Sequence, residues 1–134
     1  MKRITEADAA TAFARAWNRL DPTDFLKLLS PNARYASQWV SAELEGDVAI
    51  SDYLIGKMHT VKINSDGNHN NKVIAELGLT TKGSCGRECV FMTQGQSERD
   101  AAVVLFDVEN NMIKRYDLCV SELYGVVRSG LYPI

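Results

Sequence analysis

The apolar positions of the chain change their period part-way along it. Up to about residue 60 they recur mostly every three to four residues, and from residue 72 they come as short runs or alternate singly. Ala10, Phe13, Trp17 and Leu20 fall at helical spacing behind Thr5 and Asp8, a pair three apart that suits a capping box, so a first helix is expected over about 5–20. In Asp21-Pro22-Thr23-Asp24, Asp21 suits an N-cap, Pro22 the first helical position and Asp24 the helix dipole. A short second helix from Pro22 to about Leu29 follows, stopped by Ser30-Pro31. Ala33 to Ser41 alternates, with Tyr35, Ser37 and Trp39 on one face and Arg34, Ala36 and Gln38 on the other, and reads as one strand. Gly46-Asp47 opens a third helix to about Thr60 on the stripe Ile50, Leu54, Met58 and Val61. Residues 64–71, NSDGNHNN, form an exposed polar loop. Strands over Lys72 to Thr81, about Arg87 to Gln94, Ala101 to Val108 and Met112 to Glu122 complete the chain. Helix, helix, strand, helix and a four-strand meander predict an α+β fold, with helices on one side of an antiparallel sheet.

The last two strands carry the most information. Ala101 to Val108 is almost wholly apolar and reads as a strand covered on both faces. Asn110-Asn111 takes positive φ at little cost and reverses the chain. In the final strand Met112, Tyr116, Leu118 and Val120 share one face, with Lys114 as an exception near the turn. Ile113, Arg115, Asp117, Cys119 and Ser121 share the other, which is the candidate functional face. The apolar face would otherwise leave a contiguous patch on the sheet, so a homodimer through the sheet is expected.

Composition narrows the function classes. At 134 residues the chain is one domain, 1–134, large enough for a core without disulfides or a structural metal. With 15 basic and 17 acidic residues and no Lys/Arg run, nucleic acid and membrane surfaces are not expected partners. Glu6 and Asp8 occupy the place where a signal peptide needs its apolar stretch, and the three cysteines suit free thiols, which together suggest a cytoplasmic protein. His59, at the end of the third helix, and His69, in the polar loop, belong to no ligand cluster, so no metal or other cofactor is expected. Cys85 and Cys89 lack a second pair and would stand about 13 Å apart along a strand.

The stretches AWNRLDPTDFLKLLSPNARYAS, LEGDVAISDYL and DVENNMIKRYD, in this element order, resemble the nuclear transport factor 2-like superfamily, particularly its SnoaL-like and ketosteroid-isomerase-like branches. The resemblance spans nearly the whole chain. It implies a strongly curved, cone-like sheet around three N-terminal helices on its concave side, with an apolar pocket inside and often a dimer through the sheet. Position by position, the general base of the ketosteroid isomerases falls at Ser37, their oxyanion-hole tyrosine at Ala16 and their protonated acid at Ala102, so steroid-type isomerisation is disfavoured. The aromatic-Asp pair of the SnoaL-like cyclases falls at Tyr116-Asp117.

That match makes Asp117 the candidate catalytic base. A carboxylate in an apolar hollow is harder to keep ionised and better suited to taking a proton, while Arg115, about 7 Å along the same face, opposes this or clamps an anionic substrate group. The alternatives for Asp117 are a structural ion pair with Arg115 or a capping role at a strand end. Trp17, Tyr35, Ser37, Trp39 and Cys119 are expected to line the pocket around a small apolar molecule. Two functions stay open: an acid/base isomerase, cyclase or dehydratase acting on an apolar carbonyl compound, and a non-catalytic ligand-binding or dimerising domain.

Overall fold

The first helix begins where its cap demands. The computed structural model describes residues 3–38, 40–65, 72–82, 86–94 and 97–134; α1 spans Glu6–Arg19. The Asp8 N–H donates to Thr5 Oγ1 at 3.1 Å and the Thr5 N–H to Asp8 Oδ2 at 2.9 Å, closing the expected capping box. Ala9, Ala10, Phe13, Ala14, Ala16 and Trp17 form its buried face.

The second helix, α2, is only Thr23–Leu26, and Pro22 rather than Asp21 is its N-cap. Asp21 instead accepts from both the N–H and the hydroxyl of Thr23, fixing the turn one step earlier. The expected end of that helix is already strand: β1 runs Leu29–Ser37, with Pro31 inside it. Pro31 is tolerated because pairing with the neighbouring strand is irregular between Leu29 and Arg34, so no ladder donor is missed there. The single strand expected over 33–41 is also corrected: β1 turns into β2, Val40–Glu45, as an antiparallel hairpin. The third helix, α3, spans Asp47–Ser65 and so runs past the expected end at Thr60 into the expected polar loop, whose remaining residues 66–71 lie outside the described residues.

The meander forms in the expected order, with β3 Val73–Thr80, β4 Glu88–Gln94, β5 Ser97–Glu109 and β6 Met112–Val120, but β5 starts four residues before Ala101 and β6 stops short of Glu122, leaving Ser121 and Glu122 to a helical turn. Asn110 and Asn111 both take positive φ, 53° and 65°, giving the reversal that the right-handed twist of a hairpin favours. Two elements escaped the sequence pattern: α4, Ser121–Tyr124, and β7, Val126–Arg128. The seven strands form one sheet in the order β2-β1-β6-β5-β4-β3-β7. The sheet is mixed rather than wholly antiparallel, since β1 pairs parallel with β6 while the other pairings are antiparallel.

α1 lies across β3, β4 and β5, and α3 over β1 and β2, on the concave side of the curved sheet. The core between them is aromatic: the Phe13 and Phe25 rings meet at 4.9 Å, and Tyr116 stands edge-on to Phe25 at 5.4 Å and against Tyr35 at 4.6 Å. A second, smaller cluster of Cys89, Val103, Leu105 and Cys119 lies on the convex face under Phe91, Tyr124 and Val126. Among the described residues no helix is long and apolar enough to cross a membrane.

Candidate functional site

The strand β6 decides which residues can form a site, because each face of the sheet has its own surroundings. Tyr116 is 1 % exposed and Ile113 0 %, both in the concave core, although they stand three positions apart with two residues between them. Strict alternation forbids that. The pairing accounts for it: Asp107 opposes Arg115 and its neighbour Val108 opposes Ile113, so Lys114 is an extra residue, a β-bulge. Beyond the bulge Tyr116 and Leu118 face the helices, and Arg115, Asp117 and Cys119 face away from them.

The expected pocket-facing set is therefore corrected. Arg115, Asp117 and Cys119 border a hollow of about 390 Å³ on the convex face, together with Ser37, Gln38, Arg87 and Tyr124. Asp117 accepts from Arg115 Nε at 3.1 and 3.0 Å and from Nη2 at 2.9 Å, while Arg115 Nη1 donates to Glu43 at 2.7 Å. The Asp117 contact raises the Arg115 guanidinium further above its already high pKa, against the opposing effect of burial. Arg87 is paired likewise, with Asp107 and Glu6. This is the structural ion pair weighed against a catalytic Asp117, and its charges are mutually compensated. Cys119 is 2 % exposed and its thiol is pushed up, chiefly by burial, which argues against a ready nucleophile there.

The cavity lies on the opposite side of the sheet. It has a volume of about 420 Å³ between α1, α3 and the concave faces of β1, β3, β4, β5 and β6. Trp17 and Tyr35 line it as the sequence suggested, and so does Tyr116, which was expected on the outer, dimer-forming face. Ser37 is not part of this wall, although it interacts with the Tyr35 hydroxyl. Trp39 lies outside the described residues. The face expected to dimerise is filled from within the chain: Tyr116 joins the chain's own core and Leu118 packs against it, which removes that argument for a dimer.

Three tyrosines gather at one end of the cavity. Burial above all, then the Tyr53 hydroxyl, raises the pKa of Tyr35, and burial raises that of Tyr116 well above the ordinary value, so both stay protonated donors. Trp17 Nε1 and Tyr116 Oη are buried and have no hydrogen-bond partner among the described residues. A buried donor left unpaired costs about 1–3 kcal/mol, and both of these atoms belong to side chains of the cavity wall while lying just behind its surface.

The sequence reading missed the α3 side of the cavity. Tyr53, Lys57, Thr60 and Asn64 line it in steps of four, three and four, a second helical stripe beside the apolar one. That spacing was available in the sequence but hidden by the shorter helix end. Among the described residues the wall contains no Asp, Glu or His, and Lys57 is its one charged side chain.

No protein-family model matches the sequence, and no curated protein matches it. Solved structures do. A SnoaL-like protein of unknown function from Burkholderia thailandensis is similar over 96 % of this chain and 100 % of its own, with TM-score 0.57 and 16 % identity. A putative polyketide cyclase from Sinorhizobium meliloti matches over 83 % and 93 %, with TM-score 0.57 and 16 % identity. An NTF2-like protein of unknown function from Cytophaga hutchinsonii matches over 87 % and 90 %, with TM-score 0.53 and 15 % identity. At such identities the likeness is one of architecture, and what it establishes is that this chain has the nuclear transport factor 2-like fold found in SnoaL-like proteins.

Proposed function

We propose that the chain is a small-molecule-binding protein whose concave cavity holds a compact, mainly apolar ligand bearing a hydrogen-bond acceptor such as a carbonyl oxygen. The observation that carries this reading is the aromatic-walled cavity of about 420 Å³, behind whose surface Trp17 Nε1 and Tyr116 Oη stay unpaired among the described residues, within a small side-chain shift of an acceptor. The size agrees: at roughly 30 Å³ per water molecule, 420 Å³ is room for about fourteen waters, or a ligand with a similar number of non-hydrogen atoms.

A second reading, turnover of a bound carbonyl compound, is favoured by the neighbours described as putative polyketide cyclases. Two donors would polarise a carbonyl, but proton abstraction needs a base. Among the described residues the cavity offers only Lys57 and tyrosines, and Asp117 lies on the other face of the sheet. Binding without turnover is the reading that asks nothing further of the wall.

The test is a calorimetric titration with a small aryl ketone and the hydrocarbon of the same shape. The ketone is expected to bind more tightly, Tyr116→Phe to remove most of that difference, and Ala102→Phe, which fills the cavity, to abolish binding of both. Asp117→Asn is expected to leave the ketone affinity within about twofold. Ketone binding undiminished by Ala102→Phe would overturn the cavity as the site, and a loss of ketone turnover specific to Asp117→Asn would restore the acid/base reading.

A further inference from the structure

Lys57 gives the cavity a polarity that the proposed binding of an acceptor does not use. The lining side chains fall into two zones. Phe13, Trp17, Leu54 and Tyr116 are buried, whereas Lys57, Thr60, Asn64 and Gln94 are exposed, so the mouth opens between α3 and β4. The mouth carries a charge and the interior, among the described residues, does not. Lys57 is one helical turn beyond Tyr53 on the face of α3 that looks into the cavity, and among the described residues it makes no ion pair. By contrast, the arginines that border the other hollows, Arg34, Arg87 and Arg115, are all held by carboxylates. An uncompensated ammonium at the rim of an otherwise uncharged wall favours an anion beside it, with the anion still partly hydrated and its desolvation cost small.

We propose that the ligand is an amphipathic monocarboxylate, its apolar body with the acceptor already proposed enclosed by the aromatic wall and its carboxylate held at the mouth by Lys57; this rests on the cavity being a ligand site. A carboxylate taken to the inner end would lose its hydration against two neutral donors, a costlier exchange than pairing with Lys57 at the rim. The lysine stem, lying along the wall, would cover part of the apolar body as well.

The test uses three probes of one shape: 4-phenylbutyrate, its methyl ester and 4-phenylbutylamine, titrated calorimetrically into the full chain at low salt. The acid is expected to bind about three- to fivefold more tightly than the ester, the size of one solvent-accessible ion pair, with the amine weakest. Raising the salt to near 0.5 M is expected to shrink the preference for the acid and leave the ester unaffected. Lys57→Met is expected to equalise acid and ester while keeping ester affinity, and Lys57→Arg to retain the preference. Ester binding equal to or tighter than the acid in the unmodified chain overturns the carboxylate assignment and leaves the cavity reading standing. Absence of binding for all three probes overturns both.

Discussion

On the proposed binding reading, Tyr116 is a side chain that would serve the ligand at the expense of stability. Its ring is among the most buried of the core, in contact with Phe13, Phe25, Phe106 and Tyr35, while its hydroxyl has no partner among the described residues. Phenylalanine would keep every ring contact and discard only the stranded hydroxyl. Tyr116→Phe is therefore expected to raise the unfolding free energy of the unliganded chain by about 1 kcal/mol, read as a higher urea midpoint at unchanged slope. A substitution that stabilises the empty protein and weakens ketone binding would be the mark of a residue kept for its ligand. A drop in stability would mean that the hydroxyl has found a partner, and the case for a waiting acceptor site would go with it.

At the scale of elements, the parts of the fold that follow local chemistry were readable, and those that depend on pairing across the sheet were not. The capping box at Thr5 and the Asn110-Asn111 reversal are decided by neighbours three or fewer residues apart, and both stand where the sequence put them. The bulge at Lys114 is decided by β5 across the ladder, and nothing in β6 alone announces it. Most of the error in the site came from a related choice, the assumption that the face with reactive side chains looks inward. Burial of Tyr116 and Leu118 under the helices is the stronger force, and it turned Asp117 outward. Trp17 and Tyr35 were legible because helical and strand periods put them on core faces whichever way β6 turned. The C-terminal elements were too short to carry a period, and β7 is held by partners far off in sequence. Its Arg128 donates to Glu76 at 2.7 Å, the Gly130 N–H donates to the same carboxylate at 2.7 Å, and Asn18 donates to the Pro133 carbonyl. Burial alone would raise the Glu76 pKa, but bonds from Arg128, Gly130 and Tyr132 outweigh it and bring the value below the ordinary 4.5. A carboxylate with a depressed folded value adds stability that is complete above its unfolded pKa and is lost as pH falls through the lower, folded one. Glu76→Gln is accordingly expected to cost about 2 kcal/mol at neutral pH, the worth of a charge-assisted pair, and progressively less as the pH falls below about 4.5. Urea melts of both chains at pH 7, 4 and 3 check this; a difference independent of pH would show that the clamp owes nothing to charge.

For the molecule as a whole, the last elements explain why both faces of one sheet can be apolar in a single copy of the chain. α4 lies over β5 and β6, and β7 extends the sheet beside β3, so Tyr124 and Val126 cap the convex cluster of Cys89, Val103, Leu105 and Cys119. The approach is close: a Cβ at Gly78 would stand 2.6 Å from Val126 Cγ1, so glycine there lets β7 reach its neighbour. Helices thus cover the concave face and the C-terminal segment covers the convex one, and the cavity with its mouth at Lys57 is what the helices leave unfilled. Because the convex cover is short and made within the chain, it should open as a local unit, before the main core does. The two thiols beneath it report on that opening. Both are almost wholly buried, and burial pushes Cys89 up to about 12, so neither offers much thiolate at neutral pH. In a Cys85→Ser chain, which leaves only these two, a thiol-reactive disulfide is expected to label the folded protein slowly and in step with cover opening. Tyr124→Ala should then speed labelling of Cys119 at least tenfold while circular dichroism and the affinity of the cavity for its ligand stay unchanged. If labelling of Cys119 accelerated only together with global unfolding, the cover would be part of the main cooperative unit, and the two faces of the sheet would stand or fall together.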